Sequence, residues 1–381
     1  MRSPLLDLPG AVAADGIDHD PQGFDRWDAL IDQGEYHDPR FLSPDGLRVE
    51  QGYATERITD LAIEWVESLG GGDDSADDRP WCVLVWHKAP HRPWEPDTAH
   101  EGLYAEGGPL GGAPIPVPAT FTDDLAGRSD TARRAAMRVA DHLTAEDLKQ
   151  PVPEGLSHDE EALWKYQRYM EDYLACVASV DDNVGRITDW LRQRGDLDDT
   201  IVIYSSDQGF FLGDHGWFDK RFMYEESIRM PFVLSYPRAV GPGQALDRIV
   251  TNVDIAPTLL EAAGVDVPAR MQGRSFWRDL TDAAKAQPDR ESNPDRDTEG
   301  FYYRYWMHDD RSHQVGAHYG YRTHRFTLIF FYNDGLGLPG CSDRRFPQEW
   351  ELYDLEADPA ELVNVAALPT NLEVYFGRVA F

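Results

Sequence analysis

The chain has 381 residues with 36 Lys+Arg against 68 Asp+Glu, a formal charge of −32, and 41% hydrophobic and 12% aromatic residues. That apolar content excludes a wholly disordered or collagen-like chain. The acidic excess argues against a nucleic-acid partner, which needs a basic stripe to displace counterions.

No run approaches the roughly 18 apolar residues of a membrane span, and the opening MRSPLLD is too short and too acidic for a signal peptide, so the chain as written reads as soluble and unexported. Cys82, Cys176 and Cys341 are far apart with no CxxC, which points to free thiols rather than a zinc ribbon or a disulfide framework. Five lysines against 31 arginines point to a saline habitat or a GC-rich genome and carry no chemistry.

In chain order, residues 55–69 predict an amphipathic helix with Ile58, Leu61, Trp65 and Leu69 on one face and Gly70, Gly71 and Gly72 as its stop, followed by an acidic surface loop. Residues 81–86 (WCVLVW) are a short continuous apolar run, as in a parallel-sheet strand buried on both faces. Residues 96–153, rich in Gly, Pro and charge, read as a long insertion with one helix near 130–143. The clearest helix is 160–194, where Tyr166, Met170, Tyr173, Val177, Val180, Val184, Ile187 and Leu191 recur at spacings of four and three and Gly195 caps the end. Residues 200–205 and 231–236 predict two further buried strands, and 255–263 a short helix. After 280 a polar stretch reads as a linker, then 319–323 and 326–332 as an antiparallel hairpin, with the tail beginning at 362–365.

Ligands of an open α/β sheet sit at the carboxyl ends of its strands. Two predicted strands end in suitable residues, one in His87, Lys88 and His91, the other in Asp207 and Gln208. Asp207 with Gln208 offers two hard oxygens suited to Ca²⁺ or Mg²⁺. The same residues equally make an Asx-type turn closed by Gly209. His87 and His91 stand four apart, but Pro90 and Pro93 forbid a helix there, and a structural loop histidine is the plainer reading. Lys220 and Arg221 after Asp219 are explained by a salt bridge. The match to GxGxxG at 335–340 contains Pro339 and opens no helix, so it reads as a loop. Neither a GxSxG elbow nor a Walker GK[ST] is present.

The segment 205–231, SSDQGFFLGDHGWFDKRFMYEESIRMP, resembles the second metal motif of the sulfatase family, in the branch acting on sulfated sugars. GFDRW at 23–27, HKAPHRPW at 87–94, SVDDNVGRI at 179–187, NVDIAPTLLEAAG at 252–264, HYGYRT at 318–323 and ELYDLEADPAE at 351–361 agree in order. The resemblance implies an α/β fold, an alkaline-phosphatase-like, mostly parallel sheet flanked by helices, over residues 1–280, and a smaller C-terminal antiparallel α+β subdomain over 281–381. It implies hydrolysis of a sulfate ester on a carbohydrate. Asp207 and Gln208 would be two ligands of Ca²⁺ (or Mg²⁺), Lys220 the sulfate-binding lysine, and His91 the histidine assisting the leaving oxygen. Lys88, His215 and His318 would line the substrate wall.

The family's formylglycine nucleophile derives from a C/S-x-P-x-R motif near the start, which this sequence lacks there, along with the Asp-Asp pair and the GKWH-like segment. The expectation is therefore a sulfatase chain without its N-terminal catalytic portion and first strand, inactive by itself. A non-catalytic sulfated-glycan-binding remnant and a phosphoester hydrolase of the same superfamily are the alternatives.

Overall fold

The computed structural model describes residues 21–69, 80–282 and 299–366. The expected glycine stop at 70–72, the acidic loop after it and the polar linker beyond 282 lie outside these residues. The chain folds as two compact units: one gathers Met1–Ile115, Thr144–Gly155 and Leu163–Gly195, the other Pro116–Leu143, Leu156–Ala162 and Asp196–Phe381.

The first unit opens with a small antiparallel meander, β1 (Ala29–Leu30), β2 (Arg40–Ser43) and β3 (Gly46–Val49), which the sequence pattern did not reveal. Helix α1 (Ala54–Leu69) follows. Its fully buried face is Ala54, Thr55, Thr59 and Val66, while the expected stripe Ile58, Leu61, Trp65 and Leu69 is only half-buried. Small side chains set the seam, and the Thr59 hydroxyl is satisfied by donating to the Thr55 carbonyl at 3.0 Å. Most of the long helix α5 (His158–Arg194) belongs to this unit. Its Tyr166, Met170, Val180 and Leu191 are buried as their spacing predicts, and Gly195 takes φ +81° at its end. Tyr36, Phe41, Tyr53, Trp94, Tyr169 and Cys176 form the unit's core, with Tyr36 stacked on Tyr53 at 5.8 Å and the Trp94 ring tilted against Tyr169 at 5.0 Å.

Residues 81–86 are not part of any hydrogen-bonded strand among the described residues, contrary to expectation. Exposure alternates along them, leaving Cys82, Leu84 and Trp86 exposed. An apolar run names neither its partner nor the cover on its faces, which is why periodicity alone misassigned it.

In the second unit the region 130–143 is two short helices, α2 (Asp130–Arg134) and α3 (Val139–His142), rather than one. Helix α4 (Ala145–Leu148), in the first unit, carries a complete capping box between Thr144 and Asp147. Strands β4 (Val202–Ser205) and β7 (Phe232–Ser235) pair antiparallel, as do β5 (Phe211–Leu212) and β6 (Phe218–Asp219). Every ladder among the described residues is antiparallel, so the expected parallel sheet is not seen there. The physical reason is on the surface: Tyr204 is 40% and Val233 61% exposed, and a ladder with one open face is the antiparallel kind. Short helices α6 (Glu225–Ile228), α7 (Asn252–Ala262) and α8 (Trp277–Thr281) surround this pair in sequence.

The C-terminal sheet has the order β11 (Glu349–Asp354), β10 (Phe326–Phe331), β9 (His318–Thr323), β8 (Gly300–Tyr305), all antiparallel. It contains the expected hairpin, with Phe331 opposite His318. Its inner face joins Phe211, Trp217, Phe222, Met223 and Tyr224 to Val315, Ile329, Phe331 and Tyr353 in one buried cluster.

Candidate functional site

In the first unit, His91 sits in a loop whose peptide bonds Ala89–Pro90 and Arg92–Pro93 are cis. Its backbone N–H donates to the Lys88 carbonyl at 2.8 Å, and its carbonyl accepts from the Tyr36 hydroxyl at 2.6 Å. Nδ1 lies 2.7 Å from the Arg92 carbonyl, which can only accept, so Nδ1 carries a proton. Arg92 makes a two-pronged pair with the buried Asp147 at 2.5 and 2.6 Å, tying the loop to the α4 cap. Lys88 is itself buried: its ammonium donates to the Gln33 carbonyl at 3.0 Å and lies 4.6 Å from the centre of the Tyr36 ring. Burial pushes that ammonium below its ordinary value, and pushes the neighbouring His87 imidazole down to about 4.

In the second unit, the chain leaves β4 through Ser206, Asp207, Gln208 and Gly209. A Cβ on Gly209 would stand 2.1 Å from the Glu226 carbonyl oxygen, so this turn reaches α6 only because residue 209 is glycine. Asp207 is exposed, and its carbonyl accepts from the Asn252 side chain at 3.1 Å. Among the described residues no group of three His, Cys, Asp or Glu could hold a metal. Asp207 and Gln208 supply two of the roughly six to eight oxygens that Ca²⁺ takes, so by themselves they do not make a shell for it.

The hairpin of β5 and β6 turns through His215 (φ +56°) and Gly216, where a Cβ would be 2.8 Å from the Phe121 carbonyl oxygen. His215 is fully buried: Nδ1 lies 3.2 Å from Asp123 and 2.8 Å from the Arg128 guanidinium, and Nε2 faces Glu226 at 3.6 Å. Burial opposes a charged ring, but the two carboxylates prevail and hold His215 above its ordinary value, while Asp123 is pulled down to about 2 despite its burial. The Arg128 guanidinium also lies 4.5 Å from the Tyr224 ring centre, and the Tyr224 hydroxyl donates to Glu351 at 2.5 Å.

Next to this, Asp219 is buried with Arg221 at 3.3 Å and His313 at 3.2 Å, and His313 Nδ1 meets Asp310 at 2.9 Å. Asp219 is held well below the usual carboxylate range because the hydrogen bond from His313 and the charges of Arg221 and Lys220 outweigh its burial. His313 is raised: burial opposes its charge, and its bonds to Asp219 and Asp310 win. Lys220 makes no ion pair among the described residues. Burial depresses its ammonium, and Asp219 and Asp207 partly restore it. Lys220 is thus within electrostatic reach of both Asp207 and Asp219.

His318 is enclosed by the rings of Tyr303, Tyr305, Phe222 and Phe331 at 5.1 to 5.9 Å. Burial takes it down to about 4, so it is a neutral core ring with Nδ1 bonded to the Gly316 carbonyl at 2.8 Å. His318 and His215 are fully buried, and the Lys88 ammonium is engaged by the Gln33 carbonyl and the Tyr36 ring.

A sequence profile of the sulfatase family matches residues 13–265. The chain belongs to the sulfatase family. A second profile, described as N-sulphoglucosamine sulphohydrolase, C-terminal, matches residues 213–376. The chain is 39% identical to an N-acetylglucosamine-6-O-sulfatase of Bacteroides thetaiotaomicron over 91% of its own length and 64% of that relative's. It is 26% identical to the N-acetylglucosamine-6-sulfatase of Homo sapiens over 71% of itself and 45% of the relative. It therefore spans less than two thirds of either protein. A solved structure described as a complex with its substrate D-glucosamine-2-N,6-O-disulfate is 37% identical with a TM-score of 0.81, covering 94% of this chain and 76% of that one. A phosphonate monoester hydrolase of Agrobacterium radiobacter, 23% identical, shares the fold with a TM-score of 0.59 over 86% of this chain and 60% of that one. Family and fold together give an alkaline-phosphatase-like α/β class for this sulfatase chain. No described helix is long and apolar enough to cross a membrane.

Proposed function

We propose that this sulfatase chain serves hydrolysis of a sulfate ester on a carbohydrate, with 6-O-sulfated glucosamine as the substrate class. The observation that carries the reading is its 39% identity to an N-acetylglucosamine-6-O-sulfatase over 91% of the chain, in which the whole 205–231 segment falls. In this reading Lys220 holds the sulfate oxygens, because a desolvated ammonium with no ion pair of its own gains most from an arriving anion. His91 assists the leaving alcohol oxygen as its S–O bond breaks by giving it the Nε2 proton of an imidazolium, the ring oriented by the Nδ1 bond to the Arg92 carbonyl and the loop by the Tyr36 hydroxyl. Asp207 and Gln208 contribute oxygens to a divalent cation, Ca²⁺ or Mg²⁺. Lys88, His215 and His318 act through what they hold: Lys88 the 33–36 wall, His215 the turn carrying Asp219 and Lys220, His318 the inner face of the C-terminal sheet.

No step is assigned to the cation, because two oxygens are not a shell. None is assigned to a formylglycine, because the C/S-x-P-x-R match in the 381 residues, Ser292-Asn293-Pro294-Asp295-Arg296, follows the 205–231 segment, whereas the family's motif stands near the start. In organisation the proposal keeps a catalytic portion over 1–280 and a C-terminal portion over 281–381, the latter bracing the 211–224 segment from below.

The purified 381-residue chain is expected to bind 6-O-sulfated N-acetylglucosamine and to leave a chromogenic aryl sulfate intact. Turnover of that aryl sulfate by this chain would contradict the division of roles. Equal binding of the 6-phosphate and 6-sulfate sugars would favour the phosphoester reading.

A further inference from the structure

We propose that the outer face of the C-terminal sheet is a platform for a sulfated saccharide chain, on a surface to which the roles above give no task. Along β8 to β11 the inward residues Tyr303, Tyr305, Ile329, Phe331 and Tyr353 make the core. The alternate positions point outward, and Tyr302, Tyr319, Phe330 and Trp350 among them are aromatic. The ladder register sets Arg304 opposite Tyr319, Tyr319 opposite Phe330, and Phe330 opposite Trp350, one row across all four strands. Rings touch along it: Tyr302 and Tyr319 at 6.0 Å, Tyr319 and Phe330 at 5.3 Å, and Phe330 stacked on Trp350 at 4.3 Å. Tyr302 is 59%, Trp306 53% and Trp350 37% exposed. An outward aromatic row of this length is what a recognition surface looks like, not what solubility requires.

Arg304 decides the chemistry. Its guanidinium lies 3.5 Å from the Trp306 ring centre and 5.2 Å from that of Tyr332. No carboxylate pairs with it among the described residues, and its Nε is buried with no hydrogen-bond partner. Four other arginines of this sheet and its connections are paired, Arg322 with Glu225, Arg325 with Asp354, Arg344 with Asp309 and Arg345 with Asp334. In a chain of charge −32, an arginine kept from carboxylates and laid flat on rings is a reserved anion site. Pyranose C–H faces suit the rings, and a sulfate group suits a guanidinium that no carboxylate has taken. A second copy of this chain would bring −32 against −32 and place another guanidinium where the anion belongs, so the charge pattern favours the saccharide.

The choice of a sulfated sugar rests on the proposed function. The test separates the two. The full chain is titrated, by intrinsic tryptophan fluorescence and calorimetry, with a sulfated glucosamine-containing hexasaccharide, its desulfated form and the 6-O-sulfated monosaccharide. The hexasaccharide is expected to bind more tightly than either. Arg304→Ala and Trp306→Ala should each weaken it about five- to tenfold, with monosaccharide binding and thermal midpoint unchanged. Trp306→Tyr should restore most of the loss. Undiminished hexasaccharide binding by both alanine variants overturns the platform, as does a dimer in sedimentation that Trp306→Ala dissolves. Hexasaccharide binding that needs Arg304 in a chain that ignores the monosaccharide leaves the platform standing and removes the proposed function instead.

Discussion

Glu361 is 1% exposed, in a left-handed backbone conformation (φ +51°), with Oε2 accepting the Glu225 N–H at 2.8 Å. Burial, only partly offset by Thr327 and that N–H, pushes its carboxyl up to about 7 from an ordinary 4.5. An acid held higher in the folded state than in the unfolded one contributes stability that is complete below pH 4.5 and lost as the pH climbs through 7. Glu361→Gln should remove that slope and stabilise the protein at pH 8 by at most about 3 kcal/mol, while changing little at pH 4.5. Thermal midpoints of the two proteins across pH 4.5 to 8 check this. A steeper slope in the variant contradicts it. At this scale the sequence marked Lys220, His91 and His215 but not their partners. Asp123 and Glu351 gain their meaning only from contacts across about a hundred residues, and Glu226 from facing His215 across a turn that the sequence pattern does not show. His313 carried a local sign, the Asp310-x-x-His313 turn in which both backbone and ring bond to one carboxylate. Asp97 and His100 repeat that turn in the first unit.

At the scale of elements, the loop carrying His91 is held by a helix cap rather than by a strand. The Asp147 carboxylate serves at once the Thr144 N–H at 2.7 Å, the Thr144 hydroxyl at 2.8 Å and the Arg92 guanidinium. Asp147→Ala should therefore cost about 2–3 kcal/mol, the low side for a broken buried pair because Arg92 is partly exposed. Urea unfolding midpoints measure it, and a loss below half a kcal/mol would show that the cap does not hold the loop. Gly209→Ala should cost about 1–3 kcal/mol through its collision with the α6 backbone, read by the same denaturation. Helices α1 and α5 and the β9–β10 hairpin were legible because period and caps are local. The single-helix reading of 130–143 failed because residues 135–138 break it, Ala136 donating to the His313 carbonyl instead of continuing the helix. The first meander and strands β8 and β11 escaped because their alternation is interrupted by charge and short turns. Strand direction was not in the pattern at all, since β4 and β7 have the Val/Ile/Leu/Phe content of two-face-buried strands and only one covered face.

For the molecule as a whole, the formal charge of −32 sets the approach of any sulfated ligand. Long-range repulsion has to be overcome before Lys220 or Arg304 is met. Raising the ionic strength from about 10 mM to 150 mM shortens the Debye length from roughly 30 to 8 Å, so the association rate with a sulfated sugar should rise with salt. Stopped-flow fluorescence reads this directly, and a rate that falls with salt would place a dominant cationic field at the site. Family membership was legible from motif order over nearly the whole chain, while the division into two interleaved units was not, since 116–143 and 144–155 are adjacent in sequence and belong to different units.

In the proposed function Lys220 is desolvated to receive a sulfate ester. Calorimetric titration of the chain with 6-O-sulfated N-acetylglucosamine, beside its Lys220→Ala variant and the unsulfated sugar, tests it most directly. The account expects measurable binding of the sulfated sugar and a loss of about 1.5–3 kcal/mol, roughly ten- to a hundredfold, both on removing Lys220 and on removing the sulfate. Equal affinity of the variant, or of the unsulfated sugar, would contradict it.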